Sequence, residues 1–177
     1  MNLLIRLMIV LTTALFRKPL GLLDESVLSF RVWPNDLDIY GHMNNGRYLT
    51  VMDLGRIDLI FRMGLTRIAG KSRWHPLVAS SLMRYKRSLP LFGHYKLHTR
   101  IVCWNDKWFF IEQKFKVHGH NIAVGLVKGL FYGPKGKVPP TEVVASFGQL
   151  IPSPLMPDAI RLWLESESQM TDVSKNT

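Results

Sequence analysis

Hydrophobic and polar positions fall into two rhythms along this chain. Between Asn45 and about Met63, Tyr48, Val51, Met52, Gly55 and Leu59 line one stripe, and Leu49, Asp53, Arg56 and Ile60 line another. Spacings of three and four are the period of an α-helix. Apolar residues occur nearly all round, so this helix is expected to be covered on most sides. Gly64 supplies a stop for it. Further on the period becomes two. In LHTRIVCW (97–104), Leu97, Thr99, Ile101 and Cys103 alternate with His98, Arg100, Val102 and Trp104. In FFIEQKFKVH (109–118), Phe109, Ile111, Phe115 and Val117 alternate with Glu112, Lys114 and Lys116. These predict strands with one wet face, joined by a short hairpin loop at Asn105–Lys107. IAVGLVKGLFY (122–132) is apolar on both faces, as a central strand is. Gly125 and Gly129 leave room there for a close-packed helix or a bulge. Leu77–Arg87, closed by Pro90 and Gly93, and Ser26–Val32 complete the strands.

The order is therefore strand, long helix, then four antiparallel strands. That predicts an α+β layer, an antiparallel sheet curled around one apolar helix. Residues 64–75 read as basic and irregular. Beyond Gly136 the pattern gives a turn and one or two short helices, and MTDVSKNT reads as a frayed end. We divide the chain into an apolar N-terminal segment (1–25), a main domain (26–140) and C-terminal short helices with a tail (141–177). A length of 177 residues suits one domain with a substantial core.

The N-terminal MNLLIRLMIVLTTALFRK changes the picture. Its charge-free run, Leu7–Phe16, would be about 15 Å long as a helix, against about 30 Å of hydrocarbon in a bilayer. Three readings stay open: a helix packed on its own domain or a partner subunit, an interfacial anchor with Arg6, Arg17 and Lys18 near anionic headgroups, or a cleaved signal or true span.

Charge and cysteine usage add limits. The net charge of +10 favours anionic partners. The cations are spread along the chain, with no zinc spacing, recognition helix or RNA-binding aromatic motif, so nucleic acid is not expected. One cysteine, Cys103, allows no internal disulfide and suits a reducing compartment. The expected location is cytoplasmic; under the anchor reading, residues 1–18 would contact the inner face of a membrane.

The candidate chemistry lies in DLDIYGHMNN (36–45), a dense polar stretch ahead of the long helix. Asp36 and Asp38 can cap the helix or make a turn, or one can aim a carboxylate at the free amides of the helix start. Asn44 and Asn45 can cap or contact a substrate. His42 can orient the loop or act as a base. Asp53 and Arg56 fit an i,i+3 ion pair, and Tyr48 fits a core position with a hydroxyl reaching a polar partner. Cys103 reads as a buried structural thiol, His118 and His120 as hairpin residues, and Ser80–Ser81 as plain sheet positions. No metal set is evident.

DLD followed by GHMNNGRYLTVMDLGR, with YKRSLPLFGHYKLHTRI and GKVPP downstream, resembles the hotdog-fold thioesterases. More narrowly it resembles the 4-hydroxybenzoyl-CoA thioesterase family, and within that a subgroup carrying DLDIYGHMNNGRYL, RYKRSL and an apolar N-terminal segment. The resemblance covers about residues 26–140. Met43 stands where the family commonly has Val, and Asp53 where it commonly has Glu. It implies a hotdog fold and hydrolysis of an acyl-CoA to free acid and coenzyme A, with no cofactor. It selects Asp38 as nucleophile or base, with amides near Asn44–Asn45 holding the oxyanion and His42 and Asp53 as further catalytic candidates. It places Gly41, Tyr48, Arg84, Lys86 and Arg87 at the substrate, the cations on coenzyme A phosphates, and the acyl chain in a slot between helix and sheet. It also implies a homodimer or tetramer. A weakly active binding or scaffold protein and a thioesterase for acyl carrier protein are the alternatives.

Overall fold

The computed structural model describes residues 3–148 and 151–173. Strands β1 (Ser26–Arg31), β2 (His75–Tyr85), β3 (His94–Trp104), β4 (Phe109–Val117) and β5 (His120–Gly133) form an antiparallel sheet in the order β1-β3-β4-β5-β2. The short β6 (Gly136–Val138) pairs with the end of β5. The sheet curls around one long helix spanning Asn45–Arg62. This is the α+β layer expected from the pattern of the chain, and the hotdog fold that the family resemblance implies.

The helix before β1 is α1 (Leu3–Ala14), the long helix is α2, and α3 (Leu65–Ser72), α4 (Pro140–Ala145) and α5 (Asp158–Val173) follow. Tyr48, Val51, Met52, Gly55 and Leu59 of α2 are buried against the sheet, as their stripe predicts. Gly55 makes the approach possible. A Cβ there would lie 2.4 Å from Thr99 Oγ1 and 2.7 Å from Leu97 Cδ2, far inside contact distance. Gly125 of β5 likewise sits under Met52 of α2, and Gly129 lies against the Leu77 carbonyl beside a register shift in β2. Leu54 of α2 packs with Val10 of α1 and Leu28 of β1. The stripe through Leu49 and Asp53 is the open one.

Four details differ from the sequence reading. Residues 65–72 are helical: Gly64, at φ +73°, ends α2 as expected, but a second helix, α3, starts directly after it. A bulge between Ile101 and Cys103 inverts the alternation there. It turns Cys103 to the outer face of the sheet, beside Phe110, Ile160 and Trp163, and Trp104 to the inner one. The last helix is longer than expected. Its sixteen residues continue through Met170–Val173, so only 174–177 of the expected frayed tail lie outside the described residues. Finally, Arg6 and Arg17 are turned inward. Arg6 is buried and ion-paired with Asp36, and Arg17 reaches Asp58 at 3.2 Å. Taking either cation away would leave a fully buried carboxylate, Asp36 or Asp58, short of a partner, which is costly, so these two do not face headgroups.

Candidate active site

Between β1 and α2 the chain makes one turn of 3-10 helix, Pro34–Asp36, then a tight loop. Asp36 is fully buried and anchors it. Its carboxylate is ion-paired with Arg6 and with Arg47 (3.2 Å) and accepts from the Trp33 N–H at 2.9 Å; its carbonyl accepts from Asn44 N–H at 2.8 Å. Asp36 is thus a structural post. Asp38 stands two residues on, at the base of a reversal closed by its N–H donating to the His42 carbonyl at 2.8 Å. Gly41 takes φ +76° in that reversal, a conformation that suits glycine. Asp38 is half-buried. Its Oδ1 accepts from Tyr40 N–H at 2.9 Å, whereas Oδ2 makes no hydrogen bond among the described residues.

The far side of the loop is pinned to the segment after β2. His42 bridges to Pro90, and Met43 N–H donates to the Leu89 carbonyl at 2.9 Å. The His42 side chain itself is exposed. Asn44 caps α2, its Oδ1 accepting from Gly46 N–H at 2.8 Å, and its carbonyl accepts from Arg47 N–H at 2.9 Å. The Asn45 N–H is left without a partner among the described residues, at the positive end of the helix dipole. Tyr85 of β2 clamps this end, its hydroxyl donating to the Asn45 carbonyl at 3.1 Å. Tyr48 lies beneath, edge-on to Tyr85 and Phe115. Burial pushes its phenol up to about 12, so it is neutral at ordinary pH.

Two turns along α2 the character changes. An apolar cavity of about 210 Å³ opens between α2 and the sheet, walled by residues such as Ile57, Ile60, Leu77, Ile101, Phe109 and Leu130. Asp53 and Arg56, ion-paired with each other, are the charged residues on it. Arg56 also donates to Gln113 Oε1 at 2.7 Å, and the buried Gln113 amide donates to the Met52 carbonyl and Thr99 Oγ1, each at 2.9 Å. Burial lowers the Arg56 pKa from its ordinary value, with Asp53 opposing. From Asn45 to Asp53 is about 12 Å along the helix axis. One chain therefore brings together Asp38, Gly41, His42, Asn44 and Asn45, with Tyr48 below, and holds Asp53 apart at the apolar slot.

Arg84, Lys86 and Arg87 are exposed at the end of β2. Cys103 is buried and its thiol is pushed up to about 11 by burial, which makes it a poor nucleophile at neutral pH. His118 and Gly119 both take positive φ in the β4–β5 hairpin. Among the described residues no cluster of His, Cys, Asp or Glu could hold a metal. Sequence reasoning missed Tyr85, Gln113 and the arginines on Asp36. All of them act across the sheet or from a distant segment, which local spacing does not reveal.

Comparison with known proteins agrees with this architecture. The family profile described as "Thioesterase-like superfamily" matches residues 32–164. Protein THEM6 of Xenopus laevis is 40% identical over 94 residues, 53% of this chain and 45% of the frog protein; the match thus spans under half of that relative. DLDIYGHMNNGRYL is the stretch through which the chain is similar to this subgroup, thioesterase superfamily member six. Among solved structures, the probable thioesterase YbaW from Escherichia coli superposes with a TM-score of 0.65 at 19% identity, covering 71% of this chain and 98% of its own. The BH1999 gentisyl-coenzyme A thioesterase does so with a TM-score of 0.60 at 25% identity, covering 69% and 99%. By profile, sequence and fold, the chain belongs to the thioesterase-like superfamily.

Proposed function

We propose that the protein is an acyl-CoA thioesterase of the 4-hydroxybenzoyl-CoA thioesterase type. It hydrolyses an acyl-CoA with water to a free acid and coenzyme A. The observation that carries the reading is the pairing of a half-buried carboxylate with a helix start, both fixed by the same loop; among the described residues, one oxygen of the carboxylate and the first N–H of the helix have no hydrogen-bond partner. The Asn45 N–H serves as donor to the thioester oxygen as charge develops on it. Asp38 either attacks the carbonyl carbon, giving an anhydride that water cleaves, or takes a proton from the attacking water; the sulfur leaves as thiolate in both routes. His42 and Asn44 shape the loop. The gentisyl-coenzyme A activity named for one structural relative supports a coenzyme A thioester as substrate. The exposed cations Arg84, Lys86 and Arg87 are the groups we assign to its phosphates.

The apolar slot takes the acyl chain. It lies about 12 Å along α2 from the Asp38 loop, so we assign one working site to two copies of the chain, joined along the exposed strand β2. One copy supplies the loop and the other the slot, with Asp53 and Arg56 at its mouth. The protein acts in the cytoplasm as a homo-oligomer.

Thiol release from a panel of acyl-CoAs tests the reaction. We expect Asp38→Asn to lose at least about a hundredfold in kcat, and Asp53→Asn to lose far less. Full turnover by Asp38→Asn would assign the chemistry elsewhere. Single turnover in heavy-oxygen water separates the routes, since only the anhydride route leaves label in the Asp38 carboxylate.

A further inference from the structure

We propose that α1 and the groove behind it dock the protein onto an anionic bilayer surface. This does not depend on the thioesterase reading. α1 is held flat on the domain. Val10 and Ala14 are buried, Arg6 is ion-paired with buried Asp36, and Arg17, just beyond the helix, reaches Asp58 and the Val27 carbonyl. The same clamps hold the opposite side outward. Ile5, Met8 and Ile9 are 51%, 57% and 47% exposed, and Leu15 and Phe16 after them 66% and 90%. A surface helix ordinarily turns its apolar stripe to the core. This one has an apolar face on each side, and the outer one is an exposed patch of the kind that marks an interaction site.

What lies beside the patch identifies the occupant. Between α1 and β1 runs an open groove of about 660 Å³. Ile9 and Thr13 wall it on the helix side, and Ser29, Arg31, Trp33 and His94 on the sheet side; no carboxylate lines it. The Arg31 guanidinium donates to His94 Nε2 at 2.9 Å, so its charge is not neutralised there. Lys96 and Lys116, paired in register on β3 and β4, continue the cationic side. A lipid phosphate satisfies Arg31 by charge-assisted hydrogen bonds while the apolar ridge enters the acyl boundary. The twelve-residue helix is about 18 Å long, and none of the described helices is long and apolar enough to cross a membrane. It therefore lies in the interface. A second copy is a poorer occupant, because a two-fold contact would bring one cationic groove against another.

Flotation of the full chain with vesicles tests this. We expect binding to phosphatidylcholine vesicles containing phosphatidylglycerol, weakened by salt, and much weaker binding to phosphatidylcholine alone. The double variant Ile5→Asp, Ile9→Asp should lose at least about tenfold. Arg31→Gln should lose about fivefold on the anionic vesicles and little on neutral ones. Turnover of a short, soluble acyl-CoA and the circular dichroism spectrum should stay unchanged in both. Flotation without turnover would sink the catalytic reading and leave docking standing. Docking is overturned if the wild type floats with neither vesicle, or if the ridge variant floats like the wild type. It is also overturned if that variant changes the mass seen by light scattering while flotation persists, which would make the ridge a subunit contact.

Discussion

At the β1 edge of the sheet, the Val27 and Arg31 carbonyls accept from Arg17 (2.6 Å) and Arg6 (3.4 Å), and α1 lies alongside. At the β2 edge, every residue from His75 to Tyr85 is at least partly exposed, Leu77, Val78 and Leu82 among them. Both edges offer unpaired backbone groups, which invite another strand. The first is answered by two arginines that also neutralise buried aspartates. The second carries the apolar side chains of a surface that expects company. The contrast teaches that strand addition is directed: one edge is closed within the chain, and the other stays open, where the proposed second copy would join.

The largest effect should come from unsealing the closed edge. Arg6→Met leaves Asp36 buried with Arg47 as its remaining cation and removes the cover from the Arg31 carbonyl. Loss of one partner of a buried pair costs about 3–5 kcal/mol. Urea unfolding should show a lower midpoint at unchanged slope. Adding Asp36→Leu to that variant should recover much of the loss, because no buried charge is then left alone. A loss under about 1 kcal/mol in the single variant would mean the Arg6–Asp36 pair does not hold α1 to the edge.

The open edge should respond in assembly rather than in folding. A lysine on an edge strand discourages further pairing, and Leu82 is 46% exposed in the single chain. Leu82→Lys should weaken self-association at least about tenfold, read by light scattering across concentration, and lower turnover in step with the fraction dissociated. Unfolding of the single chain should shift by no more than about 0.5 kcal/mol. An oligomer of unchanged strength would place the subunit contact elsewhere.

The difference between the edges was not legible in the sequence, although the strands were. Period two is visible in 97–104 and 109–117 because one face of each strand meets water. The stripes of α2 show for the corresponding reason. The turn at Gly41 and the cap at Asn44 also showed, since turn and cap chemistry is local. What failed was long-range or irregular. Arg6 and Asp36 lie 30 residues apart and Arg17 and Asp58 41 apart, so no spacing announces either pair. The bulge before Cys103 adds a residue without altering composition. In α3, Leu65, Ile68 and Ala69 are too few, and Gly70 and the basic residues too prominent, for a helix to stand out. At the site the loop residues were readable, while the clamp from Tyr85 required knowing that β2 passes over the start of α2.

That clamp is where the open edge touches the chemistry, and it gives the smallest expected effect. Tyr85 belongs to β2, yet its hydroxyl donates to the Asn45 carbonyl. Burial raises the phenol above its ordinary value, so it keeps its proton, and remains a donor, at the pH of any turnover assay. Tyr85→Phe removes the bond and retains the ring that packs edge-on against Tyr48. One such hydrogen bond contributes about 0.5–1.5 kcal/mol, so unfolding should move by that much and no more. If the Asn45 N–H is the oxyanion donor, freeing the other side of the same residue should lower kcat severalfold while KM stays nearly constant, because the donor is needed most as charge develops. A changed KM with unchanged kcat would assign Tyr85 to substrate binding instead and leave the two edges chemically independent.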